Sequence, residues 1–228
     1  VKLALENKSK MENKYDLIIF DWDGTLANST QLIVDAICQG SVDVGLPVPS
    51  QEAASGIIGL GFREACYALF GQIPDDVLAH ITARYTYYYG EGENDIPLFK
   101  GAAEAVGHLV EKGVALGVAT GKGRAGLNRA LDRSGIKHHF VATRCVDECH
   151  SKPHPQMIME LMDEVAATPE RTLMVGDTSF DLQMAQNANV ASLGVTFGAH
   201  PLERLLPHAP IAHFDAFDQL SHWLKTNV

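Results

Sequence analysis

The chain has 228 residues, of which 28 are acidic and 18 basic, so its formal net charge is −10 at pH 7. This length allows one large domain or one domain with a substantial insertion, and 46% hydrophobic with 20% charged residues is ordinary for a globular protein. The composition excludes a disordered or collagen-like chain, and the acidic balance offers no general attraction for nucleic acid or an anionic membrane.

Four short apolar runs, each followed by a polar or glycine-containing turn, are predicted to be buried parallel strands. They cover residues 16–20, 114–119, 172–175 and 191–196. Helical patterns lie between them, one over residues 127–131 that closes at Gly135 and one over residues 157–165 that follows Pro155. Strand and helix alternate, which indicates an open α/β sheet with ligands bound outside the carboxyl ends of its strands.

One stretch breaks this alternation, because residues 28–97 contain no convincing strand. Apolar residues recur there at helical spacing, first over residues 62–70 and then over residues 77–88. The sequence therefore predicts a small helical domain at residues 28–97. It would be inserted into an α/β core formed by residues 1–27 and 98–228.

Four carboxylates are placed to converge on one point of this predicted sheet. Asp21 and Asp23 follow the first strand, and in an extended strand end residues two apart point the same way. Asp177 and Asp181 follow the strand at residues 172–175, and their spacing places them on one helix face. Hard oxygen ligands gathered in this way suit Mg²⁺ rather than a soft metal.

Two other turns supply groups that bind anions. Thr120 and Gly121 follow the second strand and offer a hydroxyl and backbone N–H groups. Lys152, beside Pro153, offers a compact point charge suited to phosphate oxygens. Carboxylates, a divalent cation, a hydroxyl and an ammonium together indicate phosphoryl transfer.

With these elements in order, the sequence resembles the haloacid dehalogenase superfamily over roughly residues 15–200. The signatures are Asp-Trp-Asp-Gly-Thr at 21–25, Thr-Gly at 120–121, Lys-Pro at 152–153, and Gly-Asp with a further Asp at 176–181. One such motif alone says little, but four in order at predicted strand ends are very specific. The chain is most similar to phosphoglycolate phosphatase-like members, which implies a Rossmann-like parallel sheet with an α-helical cap at 28–97.

The resemblance implies roles for the acidic residues. Asp21 would be the nucleophile that forms an aspartyl-phosphate, and Asp23 would protonate the leaving group and then deprotonate the hydrolytic water. Asp21, Asp177 and the backbone carbonyl of Asp23 would hold Mg²⁺.

The resemblance also implies the groups that surround the phosphoryl group. Thr120, Gly121 and Lys152 would bind it, and Lys152 would also steady the nucleophile. Asp181 would orient Lys152 or metal-bound water. Two positions depart from the family pattern, since Asn28 replaces a frequent acid and Gly121 replaces a frequent asparagine.

Alternatives remain open for two features of the helical stretch. Arg63 follows a glycine-containing loop and would bind a substrate carboxylate, or else lie on the surface and pair with Glu64 or Glu52. The four tyrosines among residues 85–89 would form an aromatic substrate wall, although their spacing favours packing in a helical core. Residues 28–97 contain no lysine, which disfavours a Schiff-base route.

Cysteine usage and the lack of an export pattern indicate a reducing, cytoplasmic environment. Four cysteines in a chain of this length do not make a disulfide framework, and no apolar run approaches the ~18–20 residues that span a bilayer. Cys145 and Cys149 lie near two histidines, but the spacing fits no familiar zinc pattern, which favours scattered side chains over a metal site.

We therefore expect a Mg²⁺-dependent phosphatase of a small phosphorylated metabolite, with phosphoglycolate the first substrate to test and no nucleic acid, membrane or obligate protein partner. The alternatives are a β-phosphoglucomutase-like phosphomutase, a dehalogenase, which would leave the implied metal site without purpose, and a non-enzymatic metabolite-binding module. Residues 28–97 hold nine acidic and two basic residues, and residues 122–152 hold seven basic and three acidic ones. This predicts an acidic cap over a basic phosphate side.

Overall fold

The computed structural model describes residues 13–228, and its centre is a parallel β-sheet. The strands are β1 (Leu17–Phe20), β2 (Ala115–Thr120), β3 (Ala142–Cys145), β4 (Thr172–Gly176), β5 (Ala191–Val195) and β6 (Ala212–Phe214). Their order across the sheet is β3-β2-β1-β4-β5-β6. This is the order of a doubly wound Rossmann-type sheet, so the predicted α/β fold class is confirmed.

The described part of the chain contains ten α-helices. They are α1 (Thr30–Asp43), α2 (Gln51–Ser55), α3 (Phe62–Phe70), α4 (Asp75–Gly92), α5 (Ala102–Glu111), α6 (Arg124–Ser134), α7 (Gln156–Val165), α8 (Ser179–Asn187), α9 (Leu202–Leu205) and α10 (Phe217–Asn227). None of these helices combines the length and the apolar character needed to cross a membrane.

The central strand β1 explains why the first apolar run is continuous. It pairs with β2 on one side and β4 on the other, and each of its residues is fully buried. Ile18 and Phe20 belong to a core that includes side chains of α5, α6 and α10, whereas Leu17 and Ile19 pack with α7 and α8. Successive side chains of a strand point to opposite faces, so a strand covered on both faces needs apolar residues at every position.

The four strands predicted from the sequence are β1, β2, β4 and β5, each within one residue at either end. The sequence pattern missed β3 and β6, which are the two edge strands. β3 contains the half-buried Thr143 and Arg144, and β6 has three residues. Edge strands that are short or only partly covered lack the continuous apolar run by which the buried strands were recognised.

Residues 28–97, all of them described, hold α1–α4 and no strand of the sheet. We refer to them as the helical insertion. The chain leaves the sheet and returns to it at adjacent points, because Ala27 and Leu98 form an antiparallel bridge and Asn28 N–H donates to the Pro97 carbonyl over 3.0 Å. The division into two domains at these positions remains our proposal.

Within the helical insertion, the predicted apolar stripe of α4 is matched in part. The spacing predicts inward positions at Val77, Ile81, Tyr85 and Tyr88. Ile81 is buried, and Tyr85 and Tyr88 are partly buried against a core, but Leu78 is buried in place of Val77 and Tyr89 is buried as well. Leu78 and Ile81 pack in a core with α3, while Tyr89 packs in a second core with α1. Because α4 covers two partners along its length, its buried face does not follow the stripe expected for one partner.

The burial of β1 gives a test of the fold by substitution. Ile18→Ala removes a fully buried side chain from the core that includes α5, α6 and α10, and we expect it to lower the free energy of unfolding by about 2–5 kcal/mol. Ile211→Ala makes the same chemical change at a side chain that is 50% exposed, and it should cost less than about 1 kcal/mol. Urea unfolding followed by circular dichroism measures both. Equal losses would contradict the placement of β1 at the centre of the core.

Candidate active site

The turn after β1 places two carboxylates at the carboxyl end of the central strand. Asp21 N–H donates to the Val175 carbonyl over 2.9 Å, so the backbone stays aligned with β4 at this point. The turn then needs a glycine, because Gly24 has φ +78° and a Cβ there would lie 2.2 Å from the Asp177 Oδ2. The absence of a side chain at residue 24 therefore lets the turn after β4 pack directly against the turn after β1.

Three carboxylates and one lysine are buried together where these turns meet. Oxygens of Asp21, Asp177 and Asp181 all lie within 4.8 Å of one another. The Lys152 ammonium is 2.9 Å from Asp21 Oδ1 and 2.6 Å from Asp181 Oδ1, and its side chain is fully buried. The structure thus brings together four residues that the sequence placed in the site. It also places Asp181 against Lys152, which is one of the two positions expected for it.

The charges of this cluster do not balance. Burial raises the pKa of Asp21 to about 7, even though the nearby Lys152 ammonium acts to lower it. Burial, together with Asp21 and Asp181, also raises the pKa of Asp177. Burial acts to lower the pKa of Lys152, but the two carboxylates outweigh it and the pKa is raised. One ammonium does not compensate three buried carboxylates, so the cluster favours an added cation.

The donor set suits a hard divalent cation such as Mg²⁺. Asp181 is the least suited to ligate it, because its Oδ1 accepts from Lys152 and its Oδ2 accepts from the Thr178 backbone N–H and hydroxyl at 3.0 and 2.6 Å. Asp177 is held by two neutral donors, the Thr25 hydroxyl at 2.8 Å and the Ala199 N–H at 2.7 Å. Asp21 and Asp177 are therefore the better candidate ligands.

Asp23 is bound by a lysine that the motif analysis did not select. The Lys122 ammonium donates to both oxygens of Asp23 at 3.0 Å and to the Tyr89 hydroxyl at 2.7 Å. The Ser29 hydroxyl also donates to Asp23, over 2.6 Å. The available signal was the position of Lys122, directly after Thr120 and the following glycine. In the sequence, Lys122 otherwise stands out only as part of the basic segment at residues 122–152.

Asp21 and Asp23 open into a cavity of 410 Å³ between the sheet and the helical insertion. Thr120, Gly121 and Lys122 line its sheet side, and residues of α1, α3 and α4 line the other side. The buried Lys152, Asp177 and Asp181 do not line it, so they act on the cavity through Asp21.

Residue 121 must be a glycine because the Gly59–Leu60 loop of the helical insertion packs directly against it. A Cβ at residue 121 would lie 2.6 Å from the Gly59 carbonyl oxygen and 2.7 Å from the Leu60 carbonyl oxygen. The asparagine that is frequent in related motifs would collide with this loop. Gly121 thus allows the loop of the helical insertion to lie directly on the turn that follows β2.

The structure does not bring Arg63 to this cavity. Its guanidinium lies 3.6 Å from the Asp75 carboxylate and donates to the Tyr67 hydroxyl over 3.1 Å, and the side chain is 58% exposed. The predicted substrate contact therefore has no support in this arrangement. Arg63 lies on the surface, as the second alternative expects, but it pairs with Asp75 rather than with Glu64 or Glu52.

The tyrosines fit both alternatives in part. Tyr85 and Tyr89 line the cavity, whereas Tyr87 and Tyr88 do not line it and lie beside the Arg84 guanidinium, at 4.8 and 5.0 Å from their ring centres. Tyr85, Tyr88 and Tyr89 also pack against the core that α4 shares with α1, so core packing describes three of the four rings. Two rings face the candidate site because the i, i+4 spacing puts them on one side of the helix.

His200 is a second residue that the sequence patterns did not indicate. Its Nδ1 lies 2.9 Å from the Ser179 backbone N–H donor, and its Nε2 lies 3.2 Å from the Gly56 carbonyl oxygen. Burial lowers its pKa to about 4, so the ring is neutral at pH 7. It connects the start of α8 to the helical insertion.

Comparison with known proteins decides the family. The family model described as haloacid dehalogenase-like hydrolase matches residues 18–195. The chain belongs to this family. The resemblance drawn from the four signatures is therefore confirmed, and the chain is a member of a hydrolase family.

Named relatives of the family cover nearly the whole chain. A Dickeya dadantii protein named "Probable phosphatase IndB" is 33% identical over 90% of this chain and 91% of its own length. The phosphoglycolate phosphatase of Agrobacterium fabrum is 28% identical over 88% of this chain and 89% of its own length. A haloacid dehalogenase-like hydrolase from Bacteroides fragilis superimposes with a TM-score of 0.83 at 25% identity, over 91% of this chain and all of the other.

The buried ion pairs of Lys152 give a test of the site's electrostatics. Lys152→Met leaves the carboxylates of Asp21 and Asp181 without their ammonium, and we expect a loss of about 3–5 kcal/mol in the free energy of unfolding. Lys137→Met removes an exposed pair with Asp132 and should cost less than about 1 kcal/mol. Urea titration at pH 7 without divalent cations compares them. If both variants lose less than about 1 kcal/mol, the buried carboxylates do not depend on the Lys152 ammonium for stability.

Proposed function

We propose that this protein is a Mg²⁺-dependent phosphatase that hydrolyses a small phosphomonoester through an aspartyl-phosphate. The observation that carries the proposal is that Asp21 and Asp23 line one cavity, with Lys152 and Asp177 buried directly behind Asp21. Relatives named as phosphatases, including a phosphoglycolate phosphatase, support the reaction class. Cytoplasmic location and the lack of a macromolecular partner belong to the same proposal.

In the first step, a carboxylate oxygen of Asp21 forms a bond to phosphorus, and the bond from phosphorus to the alcohol oxygen breaks. Asp23 donates a proton to the departing oxygen, so that the product is a neutral alcohol. The Lys152 ammonium, 2.9 Å from Asp21, favours the ionised carboxylate that attacks. The Thr120 hydroxyl and the Gly121 N–H would bind the phosphoryl oxygens.

In the second step, water attacks the phosphorus of the aspartyl-phosphate and releases the Asp21 carboxylate and phosphate. Asp23 accepts the proton that this water loses, so one residue serves both steps. The Lys122 ammonium and the Ser29 hydroxyl both donate to the Asp23 carboxylate, so its position at the cavity is fixed for both steps.

Asp21, Asp177 and the backbone carbonyl of Asp23 would hold the metal. When bound, Mg²⁺ supplies positive charge that reduces the repulsion between the Asp21 carboxylate and the phosphoryl oxygens. The Thr25 hydroxyl and the Ala199 N–H fix the Asp177 carboxylate, so that its orientation does not depend on the substrate. The helical insertion covers the cavity and limits the access of bulk water during the reaction.

Replacement of the nucleophile tests the reaction class. Asp21→Asn should lower phosphate release from phosphomonoesters by at least about 10³-fold, because the amide does not form the acyl phosphate. Asp132→Asn is the matched control at an exposed position on α6, and its rate should be unchanged. Release of inorganic phosphate in the presence of Mg²⁺ is the measurement. Equal rates for the two variants would contradict the proposal.

Removal of the metal tests the role of Asp177. Treatment with EDTA should abolish phosphate release, and Mg²⁺ should restore it. Mg²⁺ should also raise the melting temperature of the native protein, and Asp177→Asn should reduce that rise because one ligand is lost. Phosphate release that survives EDTA would contradict the metal requirement, and halide release from a haloacid that survives EDTA would favour a dehalogenase. Conversion of hexose phosphates without phosphate release would instead favour a phosphomutase.

A further inference from the structure

The part of the cavity beyond the phosphate turn is mainly apolar. Ile33 and Ile37 of α1, Ile58 of the loop between α2 and α3, and Phe62 of α3 line it. Its volume of 410 Å³ falls within the ~300–1,000 Å³ typical of pockets for drug-sized ligands. A two-carbon acid would leave most of this apolar surface in contact with water, whereas a larger apolar group would cover it.

Three aromatic rings form one wall of the same space. The rings of Phe62 and Tyr85 are stacked, with centres 4.4 Å apart and planes at 26°. The rings of Tyr85 and Tyr89 follow, with centres 5.8 Å apart and planes at 29°. Because all three residues line the cavity, the wall is suited to an aromatic or extended apolar group.

The cations that line the cavity, among the described residues, are Lys122 and Arg129, and both are already paired. Lys122 binds both oxygens of Asp23. The Arg129 guanidinium donates to the two oxygens of Glu93 over 2.7 and 3.3 Å. A carboxylate on the leaving group would have to displace one of these pairs, and Arg63 does not line the cavity.

We propose that the preferred substrate is a phosphomonoester of an uncharged alcohol with an apolar or aromatic body, rather than phosphoglycolate. This inference rests on the phosphatase function proposed above. The phosphoryl group lies between Asp21 and Thr120, and the body of the alcohol packs against the row formed by Phe62, Tyr85 and Tyr89. Specificity thus comes from removal of apolar surface from water, and not from recognition of a second anion.

Three substrates with primary alcohol leaving groups distinguish the effect of a carboxylate on the leaving group from the effect of its apolar surface. They are phosphoglycolate, ethyl phosphate and 2-phenylethyl phosphate, assayed by phosphate release with the Mg²⁺-loaded protein. We expect kcat/KM for 2-phenylethyl phosphate to exceed that for each of the other two by at least about tenfold. A kcat/KM for phosphoglycolate equal to or above that for 2-phenylethyl phosphate would overturn the inference and leave the phosphatase function standing. Lack of phosphate release from all three would overturn both.

Two tyrosine variants on the same helix locate the effect. Tyr85→Ala removes the central ring of the wall and should reduce the ratio of kcat/KM for 2-phenylethyl phosphate over ethyl phosphate by at least about fivefold. Tyr87→Ala removes a ring that is 51% exposed and does not line the cavity, so the ratio should be unchanged. Equal effects of the two changes would overturn the assignment of the wall.

A further variant tests the rival site for a carboxylate. Arg129→Gln removes the guanidinium at the cavity, and the proposal expects the order of the three substrates to stay the same. Selective loss of phosphoglycolate hydrolysis in this variant would show that Arg129 binds the carboxylate, and it would overturn the proposal. Circular dichroism and the melting temperature of each variant establish that it is folded.

Discussion

Burial of three carboxylates around a single ammonium is the constraint on which the candidate site depends. Carboxylates removed from water are costly unless positive charge and hydrogen bonds compensate them. Lys152 neutralises part of the cluster, and the hydroxyls and N–H groups around Asp177 and Asp181 satisfy individual oxygens. The remaining negative charge and the all-oxygen donor set are the features that fit the proposed Mg²⁺.

The parallel sheet makes such a cluster possible. The carboxyl ends of adjacent strands lie at one edge, so turns that are about 150 residues apart in sequence meet after β1 and β4. Contact at this distance also requires glycine at particular points. Side chains at Gly24 and Gly198 would each come within 2.3 Å of atoms of Asp177. These two glycines therefore determine how closely the turns approach, and the arrangement of the carboxylates depends on them.

The sequence was most informative where one physical requirement determined the residue. The buried strands and the acidic turns were predicted from it because full burial and metal ligation each restrict the choice of side chain. It was least informative where a residue's role depends on a partner from another element. Lys122 binds Asp23 and Tyr89 from different parts of the chain, and His200 contacts both α8 and the helical insertion. Neither partnership leaves a local pattern.

Glu93, just after α4, has a consequence for how the two sides of the cavity are held together. It accepts from Arg129 and Arg133 of α6, so part of the contact between the acidic helical insertion and the basic segment is made by ion pairs whose arginines lie partly in solvent. Dissolved salt weakens such pairs by screening, over a Debye length of ~8 Å at physiological ionic strength. Any separation of α4 from α6 must break them. Ionic strength therefore acts on the contact between α4 and α6 itself, independently of its effect on the affinity for a charged substrate.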